Sequence, residues 1–418
     1  MTESASLTAI IVGAGHAAGE LATSLRDNGW QGRILLIGEE PQLPYHRPPL
    51  SKTYLSGAAT AESLLIKPRA TYEKANVEII SGVRVNKIDR KASTVHLADG
   101  RTAHYDRLIL ATGGRPRPLP IPHIQQAESS GNFHYLRTLQ DVDRIRQQFE
   151  PGMRLVIVGG GYVGLEVAAV GIKHGLKVTV LEALPRVLAR VTAPELSAFY
   201  ESRHRDAGVE IRTNTQVQDV QLDPSGDAVS AVLCADGSSI PADLVIVGIG
   251  LLPNVELAMD AGLDVDNGIL VDEFGQTSDP NIYAAGDCTN HPNPLLGRRL
   301  RLESVPNALE QARSVASSIC GKPKPYASIP WFWSDQYELK LKMVGLSQGY
   351  DQLVIRGAPE SDSFSAFYLK DGCILAADTV NRPPEFMLAK RFIAEKIPVD
   401  ASRLADDTQP LKDMLPSA

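Results

Sequence analysis

Residues 8–19 read TAIIVGAGHAAG, and residues 154–164 read RLVIVGGGYVG. Each stretch is a short run of apolar, mostly β-branched residues followed by a Gly-rich turn, and the segment after each turn has a helical composition. A strand that leads through G-x-G-x-x-G, or G-x-G-x-x-A, into a helix opens a Rossmann-type βαβ unit. The sequence therefore predicts an α/β fold that contains two such units.

Both units continue in the same way. The first helix should run to about Asn28 and the second to about His174, and each leads to a strand that ends in an acid. These strands are Arg33–Ile37, before Glu39, and Lys177–Leu181, before Glu182. Because the two units share this order of strand, turn, helix and acid-tipped strand, we expect the chain to contain two copies of one domain.

A weaker repeat follows each unit. Asp99 leads through Asp106 into the strand Arg107–Ala111 and on to Gly113, and Asp236 leads through Asp243 into Leu244–Val247 and on to Gly250. The two Asp residues are 7 residues apart in both copies, and the first Asp precedes the Gly by 14 residues in both. This common spacing supports the duplication.

Clusters of Pro and Gly at Gly113–Pro122 and Gly248–Pro253 indicate crossings between domains. After Pro325 the pattern changes to short strands within Trp331–Leu346, Gln352–Arg356, Ser363–Leu369 and Cys373–Asp378, and then to a helix near Pro384–Glu395. We expect a discontinuous first domain (residues 1–114 and 247–326), a second domain (115–246) and a C-terminal α+β domain (327–418).

Both Gly-rich turns predict dinucleotide binding. Small residues let the backbone approach a pyrophosphate, and the helix N-terminus offers unpaired N–H groups and a positive dipole end. The residues concerned are Gly13, Gly15 and Ala18 in the first turn, and Gly159, Gly161 and Gly164 in the second.

The acid that follows the second strand of each unit indicates which ribose that unit binds. Glu182 lies 23 residues after Gly159 and should accept hydrogen bonds from ribose hydroxyls, whereas it would repel a 2′-phosphate. Arg186 is the nearest cation, and we expect it to face elsewhere. NADH is therefore favoured over NADPH, and Glu39 should have the corresponding role for the other nucleotide.

Composition excludes several classes of protein. The net charge of −7 gives no general attraction to nucleic acid or anionic membranes. Residues 1–6 show no cationic, apolar leader, and the apolar stretch Leu155–Ile172 contains glycines and Glu166, so we expect a cytoplasmic protein. The four cysteines are 54, 32 and 53 residues apart and the nine histidines are scattered, so we expect no metal site.

Three further stretches carry a specific resemblance. Residues 43–52 (LPYHRPPLSK), 111–117 (ATGGRPR) and 277–287 (TSDPNIYAAGD) resemble the FAD-dependent pyridine-nucleotide oxidoreductases of glutathione-reductase-like fold. Residues 190–194 (RVTAP), 303–313 (ESVPNALEQAR) and 331–337 (WFWSDQY) are similar to oxygenase-coupled NADH-ferredoxin reductases of the putidaredoxin reductase type. The similarity runs from about Leu7 into the C-terminal domain.

This resemblance implies that the first domain binds FAD and the second binds NADH. It adds to the FAD contacts Ala17, Glu39, Lys52, Val85, Ala111, Arg137, Asp287, Glu303 and Val305, and it adds Glu166 and Gly250 to the NAD contacts. Other interpretations stay open at two positions: Asp287 as a helix N-cap and Arg137 as a surface arginine.

Three residues are catalytic candidates. Lys52 would place an ammonium beside the flavin and stabilise the negative charge of its reduced form. Glu166 would pair with Lys52 and meet the nicotinamide, and Trp333 would shield the flavin. The alternatives are a solvated loop lysine for Lys52, an exposed acid at a helix start for Glu166 and core packing for Trp333.

The missing cysteine pair indicates the electron acceptor. Disulfide reductases pass electrons to two cysteines beside the flavin, and peroxide-reducing relatives place a Cys in the loop that is here Pro41–Ser51, which contains none. Electrons should therefore leave to an external carrier, which the resemblance implies is an acidic [2Fe–2S] ferredoxin serving a haem-thiolate, cytochrome P-450 type monooxygenase.

Two cationic groups are candidates for binding such a ferredoxin: Arg298, Arg299 and Arg301, or Arg313 with Lys340 and Lys342. Alternative functions are an NADH-dependent rubredoxin or quinone reductase, and a redox-sensing FAD interaction protein.

Overall fold

The structure is a computed structural model that describes residues 7–416, so the expectation about residues 1–6 lies outside the described part of the chain. The helices are, in chain order, α1 (His16–Asp27), α2 (Arg69–Lys74), α3 (Ile124–Ser129), α4 (Leu139–Arg146), α5 (Tyr162–Lys173), α6 (Pro194–Asp206), α7 (Glu256–Asp260), α8 (Val305–Ile319), α9 (Pro383–Glu395) and α10 (Ala401–Ala405). Short 3-10 turns lie at Pro48–Ser51, Glu62–Leu64, Pro359–Ser361 and Leu411–Met414.

The first sixteen strands are β1 (Thr8–Val12), β2 (Arg33–Gly38), β3 (Val77–Ser81), β4 (Val85–Asp89), β5 (Thr94–Leu97), β6 (Thr102–His104), β7 (Arg107–Leu110), β8 (Gly114–Pro116), β9 (Phe133–Tyr135), β10 (Arg154–Val158), β11 (Lys177–Leu181), β12 (Glu210–Arg212), β13 (Val217–Leu222), β14 (Val229–Cys234), β15 (Ser239–Pro241) and β16 (Leu244–Val247). They are followed by β17 (Leu251–Pro253), β18 (Ile269–Leu270), β19 (Ile282–Ala284), β20 (Thr289–Asn293), β21 (Arg298–Leu300), β22 (Trp331–Gln336), β23 (Leu339–Gly345), β24 (Gln352–Ala358), β25 (Ser363–Lys370) and β26 (Cys373–Val380).

The chain forms two compact units. The first comprises the chain to Arg47, Glu62–Arg115 and Leu252–Pro330, and the second comprises Pro48–Ala61, Pro116–Leu251 and the chain from Trp331 onward. The segment Pro48–Ala61, which contains Lys52, thus belongs to the second unit, although we expected it in the first domain. The three-domain division itself stays a prediction.

The first unit is built on a parallel sheet of order β19-β7-β1-β2-β3. Strand β1 is buried on both faces, as a parallel strand between helices and a second layer must be. Ala9 and Ile11 pack in one cluster with residues of α1 and α8, whereas Ile10 and Val12 pack in another with the antiparallel strands β4-β5-β6. This two-sided burial explains the continuous apolar run before the first Gly-rich turn.

The second unit contains a parallel sheet of order β12-β11-β10-β16-β9, which repeats the arrangement of the first. An antiparallel group, β13-β14-β15, packs its apolar side chains into the same core as β10 and β16. The strands expected before the two Gly-rich turns, Thr8–Val12 and Arg154–Val158, and those expected at Lys177–Leu181 and Leu244–Val247 have these bounds in the structure, so two-copy α/β architecture is confirmed.

The C-terminal part of the second unit is an antiparallel sheet of order β22-β23-β26-β25-β24, and α9 packs against β23 and β26. The predicted combination of short strands and a helix in the C-terminal α+β region is therefore confirmed. The stretch Trp331–Leu346 is a hairpin, because Tyr337 adopts φ +54° and turns the chain between Gln336 and Leu339. No helix within residues 7–416 is long and apolar enough to cross a membrane.

Candidate dinucleotide sites and a buried ion pair

The first Gly-rich turn joins β1 to α1. Gly13 has φ +118°, and a Cβ there would lie 2.1 Å from the carbonyl oxygen of Ala111, so only glycine fits. Gly15 is the N-cap of α1; a Cβ there would meet no atom within 4 Å, and no side chain among residues 7–416 caps the helix. The first turn of α1 therefore has no side-chain cap among the described residues, and a ligand can approach the backbone at Gly15, which fits a bound diphosphate.

The second turn joins β10 to α5 with the same geometry. Gly159 has φ +109°, and a Cβ there would lie 2.5 Å from the oxygen of Gly248. Gly161 is the N-cap of α5; space around it is open, and the described residues again supply no side-chain cap. A Cβ at Gly164 would lie 2.1 Å from the oxygen of Gly159, so this turn packs more tightly on its helix than the first turn does.

Glu182 is held beside the second turn. Its Oε2 accepts a hydrogen bond from the Gly160 N–H at 2.8 Å, and its Oε1 accepts one from the Leu184 N–H at 2.8 Å. Arg186 donates to Ser197 Oγ (2.5 Å) and to the carbonyl of Ala189 (3.0 Å), so its guanidinium is occupied elsewhere, as expected. This arrangement fits ribose hydroxyls, and Arg186 is not directed towards a 2′-phosphate at Glu182.

Glu39, the corresponding acid of the first unit, is more loosely held. Its side chain is 68% exposed, and its nearest cation is Arg84, 3.6 Å away. Its neighbour Glu40 accepts hydrogen bonds from Tyr45 (2.5 Å) and from Arg47. No sequence feature distinguishes Glu40 from Glu39, because two adjacent acids at a strand end carry the same signal.

Glu166 lies on α5 and is buried, with 3% of its side chain exposed. Lys52 Nζ lies 2.8 Å from Oε2, to which Ser51 Oγ also donates at 2.5 Å, and Ser334 Oγ donates to Oε1 at 2.6 Å. A buried carboxylate needs such compensation, because desolvation of an unpaired charge costs several kcal/mol. The interpretations of Lys52 as a solvated lysine and Glu166 as an exposed acid are therefore wrong.

Comparison with known proteins agrees with this geometry. Residues 7–312 match the family model described as pyridine nucleotide-disulphide oxidoreductase, and residues 331–415 match the model described as reductase C-terminal. The chain is 53% identical to putidaredoxin reductase of Pseudomonas putida, over 98% of this chain and 97% of that protein.

The chain belongs to the pyridine nucleotide-disulphide oxidoreductase family.

Two solved structures of this family are similar over nearly the whole chain. One is the reductase in a covalent putidaredoxin reductase–putidaredoxin complex, with TM-score 0.94, 52% identity and 98% of both chains covered. The other is a ferredoxin reductase for the CYP199A2 system from Rhodopseudomonas palustris, with TM-score 0.93, 41% identity, and 97% of this chain and 99% of that chain covered.

The remaining FAD candidates divide between the two compact units of this oxidoreductase. The first unit contains Ala17, Ala18, Glu39, Val85, Ala111, Asp287, Glu303 and Val305, and the second contains Lys52 and Arg137. Asp287 follows Gly286 in the turn between β19 and β20, so it is not a helix N-cap. Gly250, an NAD candidate, has φ +111° and open space at its Cβ position.

Trp333 is half-buried in β22. Its ring lies 5.7 Å from that of Trp331, which is covered in turn by Phe386 (5.6 Å) and by the ammonium of Lys390 (4.4 Å). Packing with Trp331 is therefore present, and a role beside a flavin stays a prediction for Trp333.

Despite the family's name, Cys234, Cys288, Cys320 and Cys373 are all free, and burial raises the pKa of the Cys288 thiol. Among the residues that the structure describes, no group of three or more His, Cys, Asp or Glu side chains is arranged to hold a metal. Cys288 is thus a buried thiol rather than a reactive thiolate.

The two cationic groups differ in how far they are engaged. Arg299 donates to the carbonyls of Val271 (2.6 Å) and Asn290 (2.5 Å), and Arg301 pairs with Glu303 at 2.5 Å. Both arginines are thus engaged by groups within the first unit and offer little charge to a partner.

The other candidates belong to different units: in the first, Arg313 is 59% exposed although it pairs with Glu20, and in the second, Lys340 is exposed and Lys342 Nζ lies 5.5 Å from the Phe386 ring.

Proposed function

We propose that this chain oxidises NADH and passes the electrons through FAD to a [2Fe–2S] ferredoxin. The observation that carries the proposal is the combination of two Gly-rich turns that fit diphosphates with the absence of a cysteine pair in the sequence. Resemblance to putidaredoxin reductase over 98% of the chain supports the same conclusion. The balanced reaction is NADH + 2 oxidised ferredoxin → NAD⁺ + H⁺ + 2 reduced ferredoxin.

FAD would be held by the first turn, with Glu39 near the adenosine ribose and Asp287 near the ribityl–pyrophosphate linkage. Bound flavin supplies the conversion between two-electron and one-electron chemistry. Lys52 contributes positive charge where negative charge develops, and Glu166 holds the Lys52 ammonium in place at 2.8 Å.

NADH would be held by the second turn. Glu182 accepts hydrogen bonds from the ribose hydroxyls, and the N–H groups at the start of α5 bind the diphosphate. Glu166 lies one helical turn after the start of the same helix. Binding of the diphosphate at the Gly-rich turn would therefore bring the nicotinamide end towards the Lys52–Glu166 pair.

For the electron acceptor, Arg313 in the first unit and, separately, Lys340 and Lys342 in the second are better candidates than Arg298, Arg299 and Arg301, because Arg299 and Arg301 are engaged internally. An acidic ferredoxin would be attracted to exposed cations. The final acceptor of this proposal is a cytochrome P-450 type monooxygenase, supported by the likeness to a ferredoxin reductase for the CYP199A2 system. We further propose a cytoplasmic location, with which four free cysteines agree.

The test is steady-state turnover of the FAD-loaded protein with NADH and NADPH, each with a [2Fe–2S] ferredoxin, a rubredoxin or a quinone as acceptor. We expect rapid NADH oxidation only with the ferredoxin. Faster rubredoxin or quinone reduction would favour the alternative reductases, and a stable charge-transfer complex without turnover would favour a redox sensor. A preference for NADPH would contradict the role of Glu182.

A further inference from the structure

Glu166 lies at one end of a buried hydrogen-bonded chain within the second unit. Ser334 Oγ donates to Glu166 Oε1 at 2.6 Å, Gln336 Nε2 lies 3.2 Å from Ser334 Oγ, and Gln336 Oε1 lies 2.9 Å from His204 Nε2. The last link joins His204 Nδ1 to the Tyr337 hydroxyl at 3.0 Å. The chain thus runs from α5 through β22 to α6 and back to the β22–β23 turn.

The direction of every bond in this chain is determined by its carboxylate end. A carboxylate only accepts, so Ser334 donates to Glu166, and the Ser334 oxygen then accepts from the Gln336 amide N–H. Gln336 Oε1 must therefore accept from a protonated His204 Nε2. All the donors consequently point towards Glu166.

His204 has the protonation state that this direction requires. It is completely buried, and burial lowers the pKa of its imidazole to about 4, so the ring carries one proton near neutral pH. That proton is on Nε2, which leaves Nδ1 to accept from the Tyr337 O–H.

The tyrosine end of the chain is held in an unfavourable backbone conformation. Tyr337 has φ +54°, a region that bulky residues rarely adopt, and its ring lies 4.9 Å from the His204 ring. Strain of this kind persists where the surrounding contacts impose it. Ser334 and Gln336 are also buried, at 0% and 2% exposure, so the links between Glu166 and His204 are shielded from competing water, whereas Tyr337 is half-buried.

We propose that Ser334, Gln336, His204 and Tyr337 are positioning residues that hold the Glu166 carboxylate aimed at Lys52 during hydride transfer from NADH. Aligned hydrogen bonds polarise one another in a low-dielectric interior, so each donor strengthens the next. Without them, Glu166 would rely on Ser51 and Lys52 alone and would turn more easily away from the ammonium. This inference rests on the proposed function, because it assigns a role only through Glu166.

The experiment is stopped-flow reduction of the FAD-loaded protein by NADH, which gives a limiting rate constant and a half-saturating NADH concentration. We expect Ser334→Ala to lower the rate constant about tenfold, as for loss of one hydrogen bond to a charged group, without changing half-saturation. Ser334→Thr keeps the hydroxyl and should stay within about twofold of the wild type.

Two more variants test the direction of donation along the hydrogen-bonded chain. Gln336→Glu keeps the size but removes the N–H that Ser334 accepts, so it should slow reduction at least as much as Ser334→Ala. Tyr337→Phe removes only the last donor and should have an effect of about twofold. Strong effects at Ser334 and Gln336 with a weak effect at Tyr337, the far end of the hydrogen-bonded chain, are a pattern that a general loss of stability would not produce.

Controls separate this inference from the proposed function. Ser130→Ala removes a buried hydroxyl that donates to the Ala127 carbonyl in the same unit, and it should leave the reduction rate unchanged. If Glu166→Gln slows reduction but Ser334→Ala and Gln336→Glu do not, the positioning chain is refuted and the proposed function stands. If Glu166→Gln itself has no effect, the role of Glu166 in the proposed function is wrong, and the inference is overturned with it.

Discussion

Glu20 on α1 and Glu166 on α5 occupy the same position in the two copies of the Gly-rich unit, five residues after Gly15 and Gly161. Glu20 pairs with Lys67 (2.9 Å) and Arg313 (2.6 Å) within the first unit, and 14% of its side chain is exposed. Glu166 is buried and receives hydrogen bonds from two serines in addition to Lys52. Equivalent positions in a duplicated motif thus hold a partly exposed glutamate with two cationic partners in one copy and a buried, hydrogen-bonded glutamate in the other.

The copies also differ in packing and in their ribose acids. At the third position of the Gly-rich motif, the first copy accommodates Ala18, whereas the second requires Gly164. The acid after the second strand is exposed in the first copy (Glu39), whereas in the second copy (Glu182) it is hydrogen-bonded to the Gly-rich turn. The second copy is therefore the more tightly constrained one, and substitutions at matched positions should have unequal effects.

The largest difference is expected between the two glutamates. Glu166→Gln should slow flavin reduction by NADH about 100-fold, as for loss of one preorganised electrostatic contact, whereas Glu20→Gln should change it less than about twofold. Stopped-flow absorbance of the flavin measures both. Equal effects would show that the burial of Glu166 has no catalytic consequence.

The next contrast is in packing. Gly164→Ala places a Cβ against the Gly159 oxygen and should lower the free energy of unfolding by ~2 kcal/mol and weaken NADH binding. Ala18→Gly, the reverse change in the first copy, should cost about 1 kcal/mol through helix propensity and leave NADH binding unchanged. Denaturant unfolding and NADH titration check this pair, and retained NADH affinity in Gly164→Ala would contradict it.

The next largest difference is expected between Glu182 and Glu39, the acids assigned to the two ribose groups. Glu182→Gln should raise the KM for NADH about tenfold and reduce discrimination against NADPH by a similar factor, because the repulsive charge is removed. Glu39→Gln should weaken FAD binding less than about threefold, since its contacts are exposed. Coenzyme kinetics and FAD titration of the apoprotein are the measurements, and unchanged NADPH discrimination would argue against Glu182.

A smaller effect is expected at Arg313. Arg313→Gln should raise the KM for ferredoxin about fivefold and leave ferricyanide reduction by NADH intact, since only attraction of a charged protein is lost. Arg33→Gln is the matched control, because Arg33 is another exposed arginine of the first unit that pairs with an acid, Glu78. A similar KM change in both variants would mean that general charge, not this position, matters.

The smallest effect concerns the pH dependence of stability at Glu20. Burial opposes its ionisation, but hydrogen bonds from Lys67 and Arg313 outweigh burial and lower the pKa of the Glu20 carboxyl. The stabilisation, about 1 kcal/mol, is thus complete above the unfolded-state pKa and disappears as pH falls through the lower folded-state pKa. Unfolding of wild type and Glu20→Gln should converge in acid, and a constant difference would exclude the ion pairs as its cause.

The sequence alone predicted the two βαβ units to within a residue or so at their strands, because two-sided burial of parallel strands imposes apolar runs and Gly13 and Gly159 leave no choice of residue. It also predicted the glutamate–lysine pair, through resemblance. It did not predict that Lys52 belongs to the second compact unit, because no local sequence pattern shows with which unit a segment makes more of its long-range contacts.

What the sequence by itself determined is therefore the presence of two dinucleotide turns, each with a local signature of spacing and small residues. Only the tertiary structure decided which glutamate became buried and what compensates it. Ser334 and His204 lie 168 and 38 residues from Glu166 along the chain, and Ser51 precedes it by 115. Hydrogen bonds between such distant side chains depend on how the elements pack, and periodicity and motifs report only on neighbours along the chain.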